Sequence, residues 1–270
     1  MNTTTRMVCP AIVALMACQS VPSTAPSTVP LPVTPAADAG AVLDRMEAQG
    51  KSMTDFAASV TVEKFEALTE EREIRRGRVA VEGAVGPARR IGVVVDEVID
   101  ATGRGSPDGR RFVFAEGWLC EFDATMKQCI RRQIAREGEA VDPLRVGDGP
   151  FPVPLGQPKA EVVKEFSVTM APLPDAAFLK SLAARADSLV TLRLVPRAGT
   201  PMARETGALL LVLERETLAP AAVVVEQVNG DRTAVVFRGA KIDAGLDPAF
   251  RELLTSPDTT DWKTDVRPLS

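Results

Sequence analysis

The chain has 270 residues, 45% of them apolar, which is enough to bury a sizeable core in one large domain or two small ones and too much for a mainly disordered protein. Lys and Arg number 32 against 36 Asp and Glu, and the resulting net charge of -4 argues against nucleic acid as a partner. With neither His nor Tyr, the chain lacks the commonest general base and metal ligand, and Ser-His and Cys-His nucleophile arrangements are excluded.

Residues 1–17 carry one Arg, at position 6, followed by an apolar run from Met7 to Ala17 that is too short to span a bilayer and reads as an export signal. The run ends in Leu15-Met16-Ala17-Cys18, which resembles the lipobox of bacterial lipoproteins and makes Cys18 the lipidation candidate. Ordinary cleavage, or a hydrophobic start without that role, is the alternative. Residues 18–37 follow as a spacer in which Pro22, Pro26, Pro30, Pro32 and Pro35 stand among Ser, Thr and Val, a composition that favours extended conformers and buries no core. An acylated Cys18 on such a tether would hold a folded body of residues 38–270 off a membrane surface, because each buried methylene contributes about 0.8 kcal/mol.

The body opens with a helix signal. Asp38 is a candidate cap, Ala39, Val42, Leu43 and Met46 keep helical spacing, and Gly50 is a natural stop. From Phe56 the period changes to two, and strand-like segments recur at 78–82, 90–98, 111–122 and 126–134, separated by turn clusters at 83–87 and 103–110. Gly and Pro corners between Gly147 and Gly156 interrupt the pattern; helix-compatible segments at 158–165 and 175–186 bracket a strand at 166–170. Strands at 189–195, 208–214, 221–228 and 233–238 follow, the last two joined by the tight turn Asn229-Gly230-Asp231. This is one α+β domain built on an antiparallel meander.

Only Cys120 and Cys129 lie in the body; Cys9 falls in the signal. They flank a hairpin turn, and if that turn centres on Ala124 and Thr125 they stand directly opposite, close enough for a disulfide in an oxidising compartment. Two reduced packing thiols are the alternative. Without His, they build no ordinary zinc site, so no metal is expected.

Several of these segments, in order, resemble the LolA-like lipoprotein carrier and localisation-factor superfamily. Arg76-Gly-Arg-Val-Ala-Val81 is similar to its Gly-x-hydrophobic-x-hydrophobic strand, and Phe114-Ala-Glu-Gly-Trp-Leu-Cys-Glu-Phe-Asp123 to its hairpin, with Met126-Lys-Gln-Cys129 after it. Leu189 to Pro196, Glu216-Thr-Leu-Ala-Pro220 and Asn229-Gly-Asp231 resemble its later strand and turns, so that the likeness runs from Val42 to Leu254. It implies a curved, unclosed antiparallel half-barrel whose concave side is covered by helices, with acyl chains held in between. The carrier itself has a basic residue before a Pro that helps close its lid. Here Gly86 precedes Pro87, which puts that switch in doubt and leaves Arg89 or Arg90 for a related part.

Alternate strand positions share a face and could line an apolar concavity. The candidates are Val79 and Val81, Val93 and Val95, Phe112 and Phe114, Trp118, Leu192 and Leu194, Leu211 and Leu213, Val223 and Val225, and Val235 and Phe237. Any of them could instead be plain core. The basic groups Arg72, Arg75, Arg76, Arg78 and Arg131, Arg132, Arg136 are interleaved with Glu, as on solvated strand faces. Gly103 to Gly109 lacks the Lys-Ser/Thr and the following helix of a phosphate loop, and Asp96-Glu97 and the pair Asp258 and Asp261 sit in polar contexts. No catalytic set and no cofactor follow. The expectation is an exported, periplasmic, lipid-anchored protein that binds a lipid or the acyl chains of a lipoprotein without a covalent step. An envelope sensor or interaction module with a protein partner, built on the same fold, is the other reading.

Overall fold

The computed structural model describes residues 36–86, 88–136, 139, 144 and 155–269. The signal, Cys18, most of the linker and the corners from 147 to 154 lie outside the described residues. Helix α1 (Ala36–Ser52) begins two residues before Asp38, so Asp38 stands inside its first turn and not at the cap position. It also runs through Gly50 instead of stopping there. A Cβ at Gly50 would lie 2.1 Å from the Cα of Gly156, so the glycine serves close packing between the helix and the backbone at 156.

Strands β1 (Asp55–Glu66), β2 (Glu71–Glu82), β3 (Arg90–Ile99), β4 (Gly105–Ala115), β5 (Trp118–Asp123) and β6 (Gln128–Gln133) form one antiparallel meander. After α2 (Lys159–Glu165), strands β7 (Phe166–Ala171), β8 (Leu189–Pro196), β9 (Thr206–Glu214), β10 (Pro220–Gln227) and β11 (Arg232–Ile242) form a second. Pairing of β1 with β11 joins them, and the C-terminal β12 (Lys263–Arg267) adds in parallel to β6. The order is β12-β6-β5-β4-β3-β2-β1-β11-β10-β9-β8-β7, and the two ends of this twelve-stranded sheet do not pair.

One apolar cluster runs from Leu119 on β5 to Phe166 on β7 and takes in Ala39, Leu43 and Met46 of α1. Those strands are nine steps apart, roughly 43 Å on a flat sheet, whereas a helix with its side chains is only about 10–12 Å thick. A single core around one helix therefore requires the sheet to curl about it. The result is the unclosed half-barrel that the family resemblance implies, with α1 and α2 on its concave side.

The other face is covered too. Leu179 and Leu182, the latter on the short helix α3 (Lys180–Ala183), pack on Leu210, Val212, Val224 and Val236. The single helix expected over 175–186 is thus broken into short turns, and it lies on the convex side. Helix α4 (Pro248–Arg251), capped by the Asp247 carboxylate accepting from Phe250 N, leads into a turn whose Leu253 and Leu254 pack on Ala57 and Ala80. Neither this segment nor β12 stands out in the sequence. With both faces covered, β9 and β10 read as continuous apolar runs, and each large side chain buried there contributes about 1.5–3 kcal/mol.

Gly92 of β3 admits this C-terminal segment, because a Cβ there would lie 2.2 Å from the Leu253 carbonyl oxygen. We expect Gly92→Ala to lose about 2 kcal/mol of unfolding free energy in urea titrations by lifting residues 252–254 from the sheet; an unchanged midpoint would show that the segment yields freely.

Candidate functional site

Register decides which side chains share the concave face. Along β1 these are Phe56, Ala58, Val60 and Val62, facing Val81, Val79, Gly77 and Arg75 of β2. Continuing outward, Val81, Val79 and Gly77 pair with Ile91, Val93 and Val95 of β3, and these with Phe114, Phe112 and Arg110 of β4. In the other half, Val235 lies beside Val223, Leu211, Leu192 and Met170.

Thirteen of the fifteen expected lining residues belong to or pack on this one cluster: Val79, Val81, Val93, Phe112, Phe114, Leu192, Leu194, Leu211, Leu213, Val223, Val225, Val235 and Phe237. Val95 shares the face by register and is half-buried. Trp118 is on the other face. The two-residue turn at Glu116 and Gly117, both at positive φ, pairs Ala115 with Trp118, so Leu119 and not Trp118 stands beside Phe114. The Trp118 ring is covered instead by the Arg131 guanidinium, 5.0 Å from its centroid.

The interior is filled beneath α1 and less completely covered beside it. Leu43, Met46 and Met53 pack among Phe56, Phe114 and Phe166, and the buried Leu144 and Leu155 belong to the same cluster. Arg45 donates to the carbonyls of Arg215 and Glu216, and Gln49 to that of Thr217, tying the helix to the β9–β10 turn. Val60, Val93, Phe112, Val168, Met170, Val225 and Val235 remain only partly buried. Where α1 meets the edge strand β7, an open groove of about 580 Å³ has Ala39, Leu43, Phe166 and Val168 among its walls.

Arg89 and Arg90 part company. Arg89 is fully buried and donates to the Leu155 carbonyl at 3.1 Å, beside Gln157, which donates to the Leu144 carbonyl at 2.6 Å. Arg90 points outward to Glu82 and the Leu254 carbonyl. The other basic groups are largely spoken for: Arg75 pairs with Glu73, Arg76 with Glu97, Arg78 with Asp96 and Arg132 with Glu121. Gly103 forms part of a hairpin turn organised by the Asp100 carboxylate, whose pKa is lowered chiefly by the Thr102 hydroxyl. Asp258 is lowered in the same way by Thr260.

The cysteines do not face each other. The β5–β6 turn spans four residues, with Asp123 accepting from Met126 N and Lys127 at positive φ, and it pairs Cys120 with Arg131 and Cys129 with Phe122. Both thiols are free, and burial pushes that of Cys129 up. Diagonal neighbours on a sheet are typically 7–8 Å apart, so this register gives the expected disulfide no support.

One ion pair on the open side is nearly buried. The Asp108 side chain is 5% exposed and accepts two bonds from the Arg110 guanidinium, one of them Nε to Oδ1 at 2.6 Å, and a third from the Arg110 backbone N–H at 3.1 Å. That guanidinium, with a smaller contribution from the charge of Arg75, holds the Asp108 carboxyl below its usual range against the opposing effect of burial.

No protein-family model matches the chain. No curated protein matches its sequence either. Solved structures are similar in fold. An uncharacterized conserved protein from Thermus thermophilus is 17% identical, covering 85% of this chain and 99% of that one at a TM-score of 0.46. The MucA/MucB complex structure of Pseudomonas aeruginosa is matched at 12% identity over 81% of this chain, which spans only 61% of the matched chain, at a TM-score of 0.45. A LolA superfamily protein from Nitrosomonas europaea is 13% identical over 78% of this chain and 96% of its own, at a TM-score of 0.33.

A depressed carboxylate pKa stabilises the fold above the unfolded value, about 3.9, and the contribution is lost as pH falls through the folded value. We expect Asp108→Asn to cost on the order of 1 kcal/mol at pH 7, and the deficit to fade in urea titrations carried to about pH 3. A deficit that persists in acid would place the effect in packing rather than charge.

Proposed function

We propose that this is an exported envelope protein that takes an acyl chain, from a lipid or a lipoprotein, onto its concave face without covalent chemistry. The observation that carries the reading is the strip of apolar side chains that α1 leaves partly open in the middle of a curved sheet. Burying that strip under methylene groups returns about 25 cal/mol per Å² and needs no polar partner.

In this reading α1 acts as the lid, and Arg89, holding the Leu155 carbonyl beneath it, is the clasp in place of the basic residue that Gly86 replaces. Tethering through an acylated Cys18 suits an acceptor or a resident lipid binder better than a diffusing shuttle. The LolA-like order of motifs supports the same assignment. No residue set for catalysis enters the account, and neither a cofactor nor a metal does.

The filled core beneath α1 favours a second reading, in which the same scaffold is an envelope sensor or interaction module that docks a protein partner. Uptake of a fluorescent fatty acid by delipidated protein separates the two. We expect saturable uptake, acyl lipid co-purifying by mass spectrometry, and an affinity at least about tenfold lower in Val95→Asp, because a carboxylate in the strip must be desolvated when a chain covers it. Val95 is half-buried, so the unfolding midpoint of this variant should move little. Absence of uptake and of bound lipid, together with capture of a defined envelope protein, would favour the second reading and overturn the first.

A further inference from the structure

The concave face changes character along the strands of its first half. The row Phe56, Val81, Ile91, Phe114 is fully buried, and the next, Ala58, Val79, Val93, Phe112, is still wholly apolar. One row further, Val60, Gly77 and Val95 are joined by Arg110, and beyond that Val62 stands opposite Arg75 and Lys64 opposite Glu73. The charges there come in pairs. Arg75 Nε lies 2.6 Å from Glu73 Oε1 and Arg110 binds Asp108, while Glu121 and Asp123 of β5 face the same side as neighbours of Phe112 and Arg110. A cleft of about 320 Å³ opens at this end, with Lys64, Glu73, Arg75 and Asp100 among its walls.

We propose that this end is a headgroup subsite and that it selects a zwitterionic headgroup, carrying both a phosphate and an ammonium, over an anionic one. The inference rests on the acyl-binding reading and adds the orientation of the ligand: its chain runs toward Phe112 and Val93, and its headgroup meets Arg75, Arg110 and Asp108. A gradient from apolar to charged along about three residues of strand, roughly 10 Å, matches an amphiphile bound lengthwise. The pairing dictates the sign preference. An anion approaching Arg110 also meets the nearly buried Asp108 carboxylate, and a plain cation approaching Asp108 meets two guanidinium groups. A headgroup with both signs can set its phosphate against Arg75 and Arg110 and its ammonium against Asp123, since Glu121 already pairs with Arg132.

The test is displacement of bound cis-parinaric acid from the full chain by palmitoyl lysophosphatidylcholine or palmitoyl lysophosphatidylglycerol, which share a chain and differ in headgroup charge. We expect the choline lipid to displace at about tenfold lower concentration. In the doubly substituted Glu73→Gln, Asp108→Asn protein, where both guanidinium groups lose their same-strand carboxylates, the order should reverse. Equal displacement by both lipids, in the parent and the substituted protein alike, would overturn the headgroup assignment and leave the acyl-binding reading standing. Failure of the parent protein to bind parinaric acid at all would overturn both.

Discussion

A helix can cover only a stripe, and the sheet that wraps α1 is wider than that stripe. Ala39, Leu43 and Met46 lie on one face of a single helix, while the apolar surface they meet extends from β5 across to β7. Curling brings much of that surface to the helix, and Leu144 and Leu155 extend the cover. What stays partly exposed is a consequence of this mismatch: Val60, Val93, Phe112, Val225 and Val235 alternate correctly for a buried face, yet nothing among the described residues covers them completely.

Most polar groups of the concave face in its first half lie toward one end, where two basic groups are paired within their own strands, while Arg132, opposite Leu119, pairs with Glu121 of the neighbouring strand. Arg75 meets Glu73 and Arg110 meets Asp108, each two positions away on the same face of one strand. Both guanidinium groups at the charged end thus have a carboxylate partner on their own strand. On the convex side the solution is different. Small residues, Ala57, Ala80 and Gly92, let the C-terminal turn carrying Leu253 and Leu254 lie close against the strands.

Much of this was legible in the sequence because a two-residue period fixes a face once one residue on it is known. Val79 and Val81, or Leu211 and Leu213, follow directly from alternation. Trp118 fails for a reason of the same kind: reading 111–122 as one continuous strand passes over the turn at Glu116-Gly117, which resets the parity between β4 and β5. The cysteine pair fails likewise, since a four-residue turn in place of a two-residue one shifts Cys120 from Cys129 to Arg131. The segment 175–186 has helical composition, but its leucines are held by the convex face in short turns. The five-residue β12 carries alternating charges and pairs only along one edge, so neither periodicity nor hydrophobicity announces it.

An acyl chain lying on the strip beside α1 would be read by a spin-labelled fatty acid at the level of single methyl groups. Added to methyl-labelled protein, the nitroxide should broaden the resonances of Val60, Val62, Val93, Val95 and Val235 and spare those of Val212, Val224 and Val236, which face the convex side. Broadening confined to convex or loop valines, or none at concentrations where a lipid-binding control protein responds, would contradict it.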